Sequence, residues 1–483
     1  MNLMKIITLP LLLCHIVCSL FAQQKSANPG IAAFENGLRV DVPFVWADSA
    51  AKNYSLEERM KFHHVPSVSI AVINHGKIEW AKAYGKADID HSKPSDVNTL
   101  YQAASISKSI NALCVMKLVQ DEKLSLDKDI RSYLKTWIFP DNDISKSSTV
   151  TLRNLLSHTA GLNLHGFRGY ATGEVIPTIN QMLEGKTPAN NEAVATIFKP
   201  GTKQEYSGGG TLITKKILLD NIDPDYAALL DKMVLRPLGM HNSSFAQPLN
   251  KKWKNVASGY DQNEKAINGS YYIYPEQAPD GLWTTASDYA EFIISVQQSL
   301  KNNPRALLHQ STAEIMLTPV LNDAALGVFV KEKGGEKYFW HEGANVGFRC
   351  SYYGSFSTGN GVVVLTNSDN GNALINEIIN DVARVYGWKD FYNPVVIKKV
   401  TIPDSLQDEY AGEYRVESPA MKISIVKTAD GLLLTARRPE KMYFTSRNSF
   451  LLLSAPSQLC EFTADGLLLK EGGRILFSAK KIK

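Results

Sequence analysis

The chain has 483 residues, with 52 Lys+Arg against 48 Asp+Glu and a net charge of +4. No block of like charge is long enough to track a phosphate backbone, so nucleic acid is not expected as a partner. A single core stops growing at roughly 250 to 300 residues, which predicts one large domain plus a smaller one.

The N-terminus reads Met1 to Lys5, then an apolar run from Ile6 to Phe21 interrupted by Thr8, Pro10 and His15, then Ala22-Gln23-Gln24-Lys25. One positive charge, a short apolar core and a small residue before a polar stretch predict a secretory signal peptide over residues 1–22; a membrane-spanning helix needs about 20 apolar residues. The mature chain is therefore expected to be periplasmic or secreted, with no integral membrane span. A lipid anchor on Cys18 is the lesser alternative, because Val17 is bulkier than lipoprotein processing accepts. Removing the signal leaves Cys114, Cys350 and Cys460, which are too few and too widely spaced for a disulfide framework. Cys114, within the apolar stretch Leu113 to Val119, reads as a small buried hydrophobe.

From Val68, S-V-S-I-A-V-I, the turn Asn74-His75-Gly76 and K-I-E-W-A-K-A-Y-G predict a β-hairpin. A helix follows from Ser105, with Ile106, Ile110, Leu113 and Met116 spaced as one buried face. Leu152 to Leu162 reads as a helix ending at a glycine turn, with His158 a hydrogen-bonded turn residue. The glycines of Tyr206-Ser207-Gly208-Gly209-Gly210 allow close backbone approach, but the spacing of a phosphate loop is absent. Ser287 or Asp288 is the expected N-cap of a helix through Phe292, Ile293 and Val296. Late β-type runs (Gly327–Val330, Tyr338–His341, Phe348–Tyr353, Gly361–Leu365) and a helix from Ala373 to Tyr386 complete this unit. The predicted fold class is α+β, an antiparallel sheet flanked by helices with a helical region. Residues 23–395 are assigned to this domain, 396–405 to a linker and 406–483 to a small all-β module with Ala-Asp-Gly turns at 429–431 and 464–466.

Chemistry centres on Ala104-Ser105-Ile106-Ser107-Lys108. A serine hydroxyl is a weak nucleophile until a base takes its proton, and a lysine three residues on lies one helical turn away. The same spacing recurs at Ser49/Lys52, Ser125/Lys128, Ser132/Lys135, Ser424/Lys427 and Ser478/Lys481, so the pattern needs context. Ser105 alone among the helical candidates opens an apolar helix, where free backbone N–H groups favour negative charge.

The order of S-I-S-K, Tyr206-Ser207-Gly208 and His341-Glu342-Gly343, with L-L-S-H-T-A-G-L and G-L-W-T-T-A-S-D between them, resembles the serine β-lactamase and penicillin-binding-protein superfamily, in particular class C β-lactamase-like hydrolases and esterases. The likeness spans roughly Val65 to Tyr386, and Tyr410-Ala411-Gly412-Glu413-Tyr414 is similar to the start of the lipocalin-like β module of many such proteins. The resemblance implies that Ser105 forms an acyl-enzyme with small acyl or peptide substrates. Lys108 is implied as a neutral base, with its pKa lowered by burial and nearby positive charge, and Tyr206 as a proton relay. The backbone N–H groups of Ser105 and Ala344 are implied as the oxyanion hole, and His341, Gly343 and Gly208 as substrate contacts. Arg349 is a further candidate, for binding a carboxylate. Gly208 stands where penicillin-recognising members have Asn, and His341 where they have Lys. His341, with an ordinary pKa near 6.5, is a poor carboxylate anchor at neutral pH, so little β-lactamase activity is expected.

Two other readings compete. His63-His64 and His341-Glu342 invite a metal hydrolase, but no H-E-x-x-H or comparable spacing occurs, so neither metal nor cofactor is expected. A non-catalytic binding or sensor protein on the same fold is disfavoured because Ser105, Lys108 and Tyr206 are all present. Peptidase or amidase against carboxylesterase stays open.

Overall fold

The computed structural model describes residues 29–482 except 43, 419, 437, 456, 457 and 472, so the signal-peptide reading lies outside the described residues. The main sheet consists of β1 (Ser67–Asn74), β2 (Lys77–Asp88), β3 (Lys93–Pro94), β4 (Phe329–Lys333), β5 (Glu336–Asn345), β6 (Phe348–Ser355) and β7 (Gly361–Thr366). Its spatial order is β3-β2-β1-β7-β6-β5-β4, and every neighbouring pair is antiparallel. The predicted hairpin is β1–β2, turning at His75 and Gly76 with φ of 52° and 75°. Thus an N-terminal hairpin and four late strands meet across β1–β7, as the α+β reading requires.

The central strands are apolar at nearly every position because both faces are covered. Alternation sends Ala71, Ile73, Val363 and Leu365 to one core and Val68, Ile70, Val72, Val362 and Val364 to the other. Four helices matter for the site: α1 (Ser107–Gln120), α2 (Gly208–Asn221), α3 (Ala286–Leu300) and α4 (Gly371–Val385). The first core takes Phe292, Ile293 and Val296 of α3, and the second takes Leu374, Ile375, Ile378, Ile379 and Val382 of α4.

Two local expectations are corrected. Helix α3 is capped by Thr285, whose side chain accepts from Asp288 N at 3.1 Å; Asp288 instead accepts from Asn242 N and Ser243 Oγ. Helix α1 does not bury a single face but is buried almost all round, because it runs through the first core between sheet and helical region. Its polar residues survive there by pairing: Ser109 with Gly327 O and Tyr352 Oη, Asn111 with Thr214 and Tyr226.

Residues Gly412–Lys481 form a separate nine-stranded sheet. Its two edge strands, Pro439–Lys441 and Tyr443–Phe444, are consecutive in the chain, so the sheet curls into a nearly closed barrel around Tyr410, Phe444, Phe450 and Phe462. Asp-Gly turns join its strands at Gly431 and Gly466. Ahead of it, Val395–Ile397 pairs in parallel with Phe44–Trp46, and a helix over Asp404–Tyr410 leads into the barrel.

Candidate active site

Ser105 sits in a tight 3-10 turn, Ala104–Ile106, just ahead of α1. Ala104 has φ of 44°, a left-handed conformation that costs a non-glycine residue of order 1–3 kcal/mol and persists only where its surroundings enforce it. They do so here. Ala103 N donates to Leu282 O at 2.8 Å, Cys350 Sγ to Ala103 O at 3.0 Å, Tyr289 Oη to Ile106 O at 2.8 Å and Leu282 N to Ser107 Oγ at 3.0 Å. The nucleophile candidate is thus held from both β6 and the segment leading into α3.

The Lys108 side chain is buried, and its Nζ lies 2.9 Å from Ser105 Oγ, 2.9 Å from Pro279 O and 3.3 Å from Asp280 Oδ1. Ser105 Oγ also donates to Asp280 Oδ1 at 3.0 Å. The expectation of a neutral, depressed lysine is therefore corrected. Burial pulls Lys108 down, but the Asp280 carboxylate and the Tyr206 hydroxyl outweigh it, and the ammonium is held above the ordinary lysine value. This carboxylate is not legible in the sequence, because Asp280 adjoins the G-L-W-T-T segment without belonging to any spaced pattern.

Tyr206 is carried on the loop before α2, whose N-cap is Ser207. His158 fixes this loop on both sides of Tyr206: its carbonyl accepts from Glu205 N at 2.8 Å, and its Nδ1 accepts from Ser207 N at 3.2 Å. The turn reading of His158 stands, with φ of 57°, and its ring packs 4.4 Å from that of Tyr206. Accepting a backbone N–H requires an unprotonated Nδ1, and burial, then the Lys108 charge, hold the imidazole neutral by lowering its pKa well below the usual value. The Lys108 Nζ stands 5.0 Å from the Tyr206 ring centroid. Burial raises the Tyr206 phenol, while Lys108 opposes the rise.

The third element is the second half of β5. Edge strand β4 pairs with β5 only as far as Phe329–Trp340, so the outer edge of 341–345 is free to face the Ser105 turn. Gly343 makes the approach possible: a Cβ there would stand 2.8 Å from Ala103 O and 2.9 Å from Ser105 N. His341 is buried, with Nδ1 2.6 Å from Glu342 O. A carbonyl only accepts, so Nδ1 carries the proton, and burial, then Lys108, push the imidazole down to about 3. His341 is neutral at physiological pH, and its Nε2 has no partner among the described residues.

These elements meet at a cavity of about 740 Å³ lined by Ser105, Tyr206, Asp280, His341, Gly343 and Ala344, with walls from His165, Phe167, Phe329 and Trp340 and carboxylates from Asp323 and Glu342. The sequence reading missed the wall residues because aromatics scattered through loops carry no spacing signal. Gly208 lies behind the wall, where its N–H donates to His165 O at 2.8 Å and a Cβ would press on that carbonyl and on Phe167. Arg349 is not brought to the cavity. Its guanidinium pairs with Asp369 at 2.8 Å and donates to Asn345 O and Phe348 O, so the carboxylate-binding expectation is not met. Of the metal candidates, His63 pairs with Glu377 and His64 with Glu264.

Among characterised proteins, the chain is 26% identical over 318 residues to Protein flp of Staphylococcus aureus (strain N315), covering 65% of this chain and 61% of that one. It is 29% identical over 182 residues to Esterase EstB of Burkholderia gladioli, covering 36% and 45%. The chain thus spans about three fifths of the length of the first of these relatives. In fold it is similar to the octameric penicillin-binding protein homologue from Pyrococcus abyssi (TM-score 0.61, 22% identity, 89% and 95% covered) and to SurE, solved with D-Leu (0.54, 21%, 88% and 97%). Residues 55–383 match the family model described as Beta-lactamase, and with the nucleophile turn, the tyrosine loop and the third-motif strand assembled around one cavity, the chain belongs to the Beta-lactamase family.

Proposed function

We propose that the protein is an extracytoplasmic serine hydrolase that cleaves ester or amide bonds of neutral or cationic acyl compounds through an acyl-enzyme on Ser105, with little action on β-lactams. The observation that carries this reading is the Ser105 hydroxyl, bonded to Lys108 and Asp280 at the floor of an open cavity beside Tyr206. In this reading Ser105 Oγ attacks the acyl carbon. The backbone N–H groups of Ser105 and Ala344 hold the oxyanion, and Tyr206 exchanges protons with the leaving group and later with water.

Charge argues for the substrate class. The cavity lining holds Asp280, Asp323 and Glu342 and no lysine or arginine among the described residues, and Lys108 behind it is already neutralised by Asp280. A neutral His341 and an Arg349 turned away offer an anionic substrate no partner, which weighs against β-lactams and against peptides presenting a free carboxylate. The likeness to an esterase supports ester cleavage; amides remain open to the same chemistry. The location follows from the pattern of residues 1–22, and N-terminal sequencing of the exported protein checks it.

Matched p-nitrophenyl esters with anionic, neutral and cationic acyl groups, D-amino-acid amides and nitrocefin, assayed side by side, test the reading. Anionic esters should fall behind neutral ones by about tenfold or more, the scale of one charge pair at a partly solvated site. Rapid nitrocefin turnover would overturn the substrate class. A fluorophosphonate probe that fails to label the wild type, or labels Ser105→Ala equally well, would replace the hydrolase with a non-hydrolytic binding protein.

A further inference from the structure

We propose that Asp280 is a catalytic residue: its carboxylate takes the Ser105 hydroxyl proton during acylation, while Lys108 acts as a resident ammonium rather than as the base. This inference builds on the serine-hydrolase reading above.

Lys108 Nζ faces Pro279 O, Asp280 Oδ1 and Ser105 Oγ at 2.9, 3.3 and 2.9 Å, and the Tyr206 hydroxyl interacts with both Lys108 and Ser105. Pro279 O can only accept, and so can an ionised Asp280. Ser105 Oγ has one proton and three neighbours, Nζ, the Tyr206 hydroxyl and Oδ1, the last at 3.0 Å. Were that proton directed at a neutral amine, Oγ and the carboxylate oxygen would face each other at 3.0 Å with nothing between them. An ammonium beside these oxygens removes the conflict: all three of its N–H bonds donate, and the serine O–H is left to point to Oδ1. The group aligned to receive the proton is then Asp280. Its position is set by backbone as well: Asn345 Nδ2 donates to Asp280 O at 3.1 Å, and Asp280 N to Gln277 O at 3.2 Å. The raised pKa of Lys108 agrees with this arrangement.

In the step itself the Ser105 O–H bond breaks and its proton moves to Oδ1. The Oγ electron pair bonds to the acyl carbon, and the carbonyl pair moves onto its oxygen. Collapse breaks the bond to the leaving group, which departs carrying one proton, so Asp280 returns to the carboxylate and no external reagent is needed. Lys108, 3.3 Å from Oδ1, stabilises both the carboxylate and the developing charge on Oγ.

The other titratable groups acting on this cluster are Tyr206 from the loop before α2, His158 from the turn that holds that loop, Glu276 and Tyr274 from the segment before Asp280, His341 from β5 and Cys350 from β6; both histidines are neutral. The test is the pH profile of kcat/KM for a neutral p-nitrophenyl ester, with wild type, D280N and D280E. In the wild type a carboxylate base gives a rate already level at neutral pH, whereas a lysine base keeps the rate rising to above about pH 10. D280N should retain its fold and KM, lose about 100- to 10,000-fold in kcat, and lose the acid limb; D280E should restore part of the rate and the limb. A residue that merely anchors Lys108 would lower the rate and leave the acid limb in place. A wild-type profile still climbing at high pH, or D280N within threefold of wild type with an unchanged limb, overturns the proposal, and the wild-type profile decides even if D280N fails to fold. A wild type inert to every ester and to the fluorophosphonate would instead overturn the hydrolase reading on which this one builds.

Discussion

Around Ser105 the fold buries charge, whereas the C-terminal barrel keeps charge at its surface. Lys108, Asp280, Lys215 and Glu276 are all nearly inaccessible within the family domain, while the barrel core consists of apolar and aromatic residues. Both regions contain the serine–lysine spacing, and they use it in opposite ways. On the turn leading into α1 the spacing brings Ser105 and Lys108 to 2.9 Å. On the strand Arg474–Lys481, residues three apart point to opposite faces, so exposed Ser478 and Lys481 do not pair, and Lys481 bonds instead to Glu409 O. Ser424 and Lys427 lie on a strand as well, with Lys427 paired to Asp408. The comparison teaches that this pattern acquires chemistry only where the backbone bends it and the core desolvates it.

The largest expected effect follows directly. K108M leaves Asp280 buried without its cation, which should cost about 3–5 kcal/mol of stability and remove at least about 10,000-fold of the hydrolysis rate, as losing one member of a tightly coupled catalytic group does. K481M, at the surface of the barrel, should cost no more than about 1 kcal/mol and leave hydrolysis unchanged. Urea unfolding and ester turnover on the two full-length variants check both. Equal destabilisation by the two substitutions would erase the contrast between the regions.

Glycine sharpens the same contrast. At Gly343 an added methyl meets Ala103 O, Ser105 N and Cys350 Sγ, all within 2.9 Å, and the strand can relieve this only by moving away from the nucleophile turn. G343A should therefore lose about 100- to 1000-fold in kcat, the scale of one oxyanion donor. Gly431, at a barrel turn with φ of 111°, has nothing within 4 Å of its Cβ position. G431A should cost about 1–3 kcal/mol of backbone strain without changing kcat. Loss of activity in G431A, or its retention in G343A, would break the assignment.

Much of this was legible in the sequence, for reasons that differ by residue. The sheet strands could be read because alternation and buried runs leave a period, and the barrel because its Asp-Gly turns punctuate short strands. Ser105, Tyr206 and His341 could be read because their short local patterns occur in order. Asp280 could not, since a single aspartate before a glycine has no period and the partners of its carboxylate, Ser105 and Lys108, lie more than 170 positions away. Arg349 misled for the complementary reason: its type suits carboxylate binding, but the Asp369 that occupies it is brought near only by the fold. The N-cap at Thr285 was missed by two or three positions, because Thr, Ser and Asp in succession are interchangeable by type and differ only in backbone angle.

The smallest effect concerns a buried pair outside the reacting cluster. Glu276 is fully buried, neither carboxylate oxygen has a partner among the described residues, and burial, reinforced by the Asp280 charge, raises its pKa to about 8. Between about 4.5 and about 8 the native state therefore holds a proton that the unfolded chain releases. The contribution is fully present below about pH 4.5 and is lost as pH rises to about 8. Lys215, lowered to about 7 by burial, acts in the opposite sense from about pH 7 to about 10.5, where the unfolded chain holds the extra proton and stability rises with pH. Below pH 7 Lys215 does not offset the Glu276 term. E276Q removes its ionisation, so its Tm should match wild type near pH 4.5 and exceed it by about 3 °C or more at pH 7. Surface Glu461, held below the usual carboxylate range by Lys470 in the barrel, contributes in the reverse direction, stabilising only above its unfolded pKa. E461Q should thus lower Tm slightly at pH 7 and not at pH 4. Calorimetry of the full chain across this range distinguishes the two glutamates. An E276Q curve parallel to wild type at every pH would mean that Glu276 stays ionised, and that the family domain accommodates its buried charge by a pairing like that of Lys108 with Asp280.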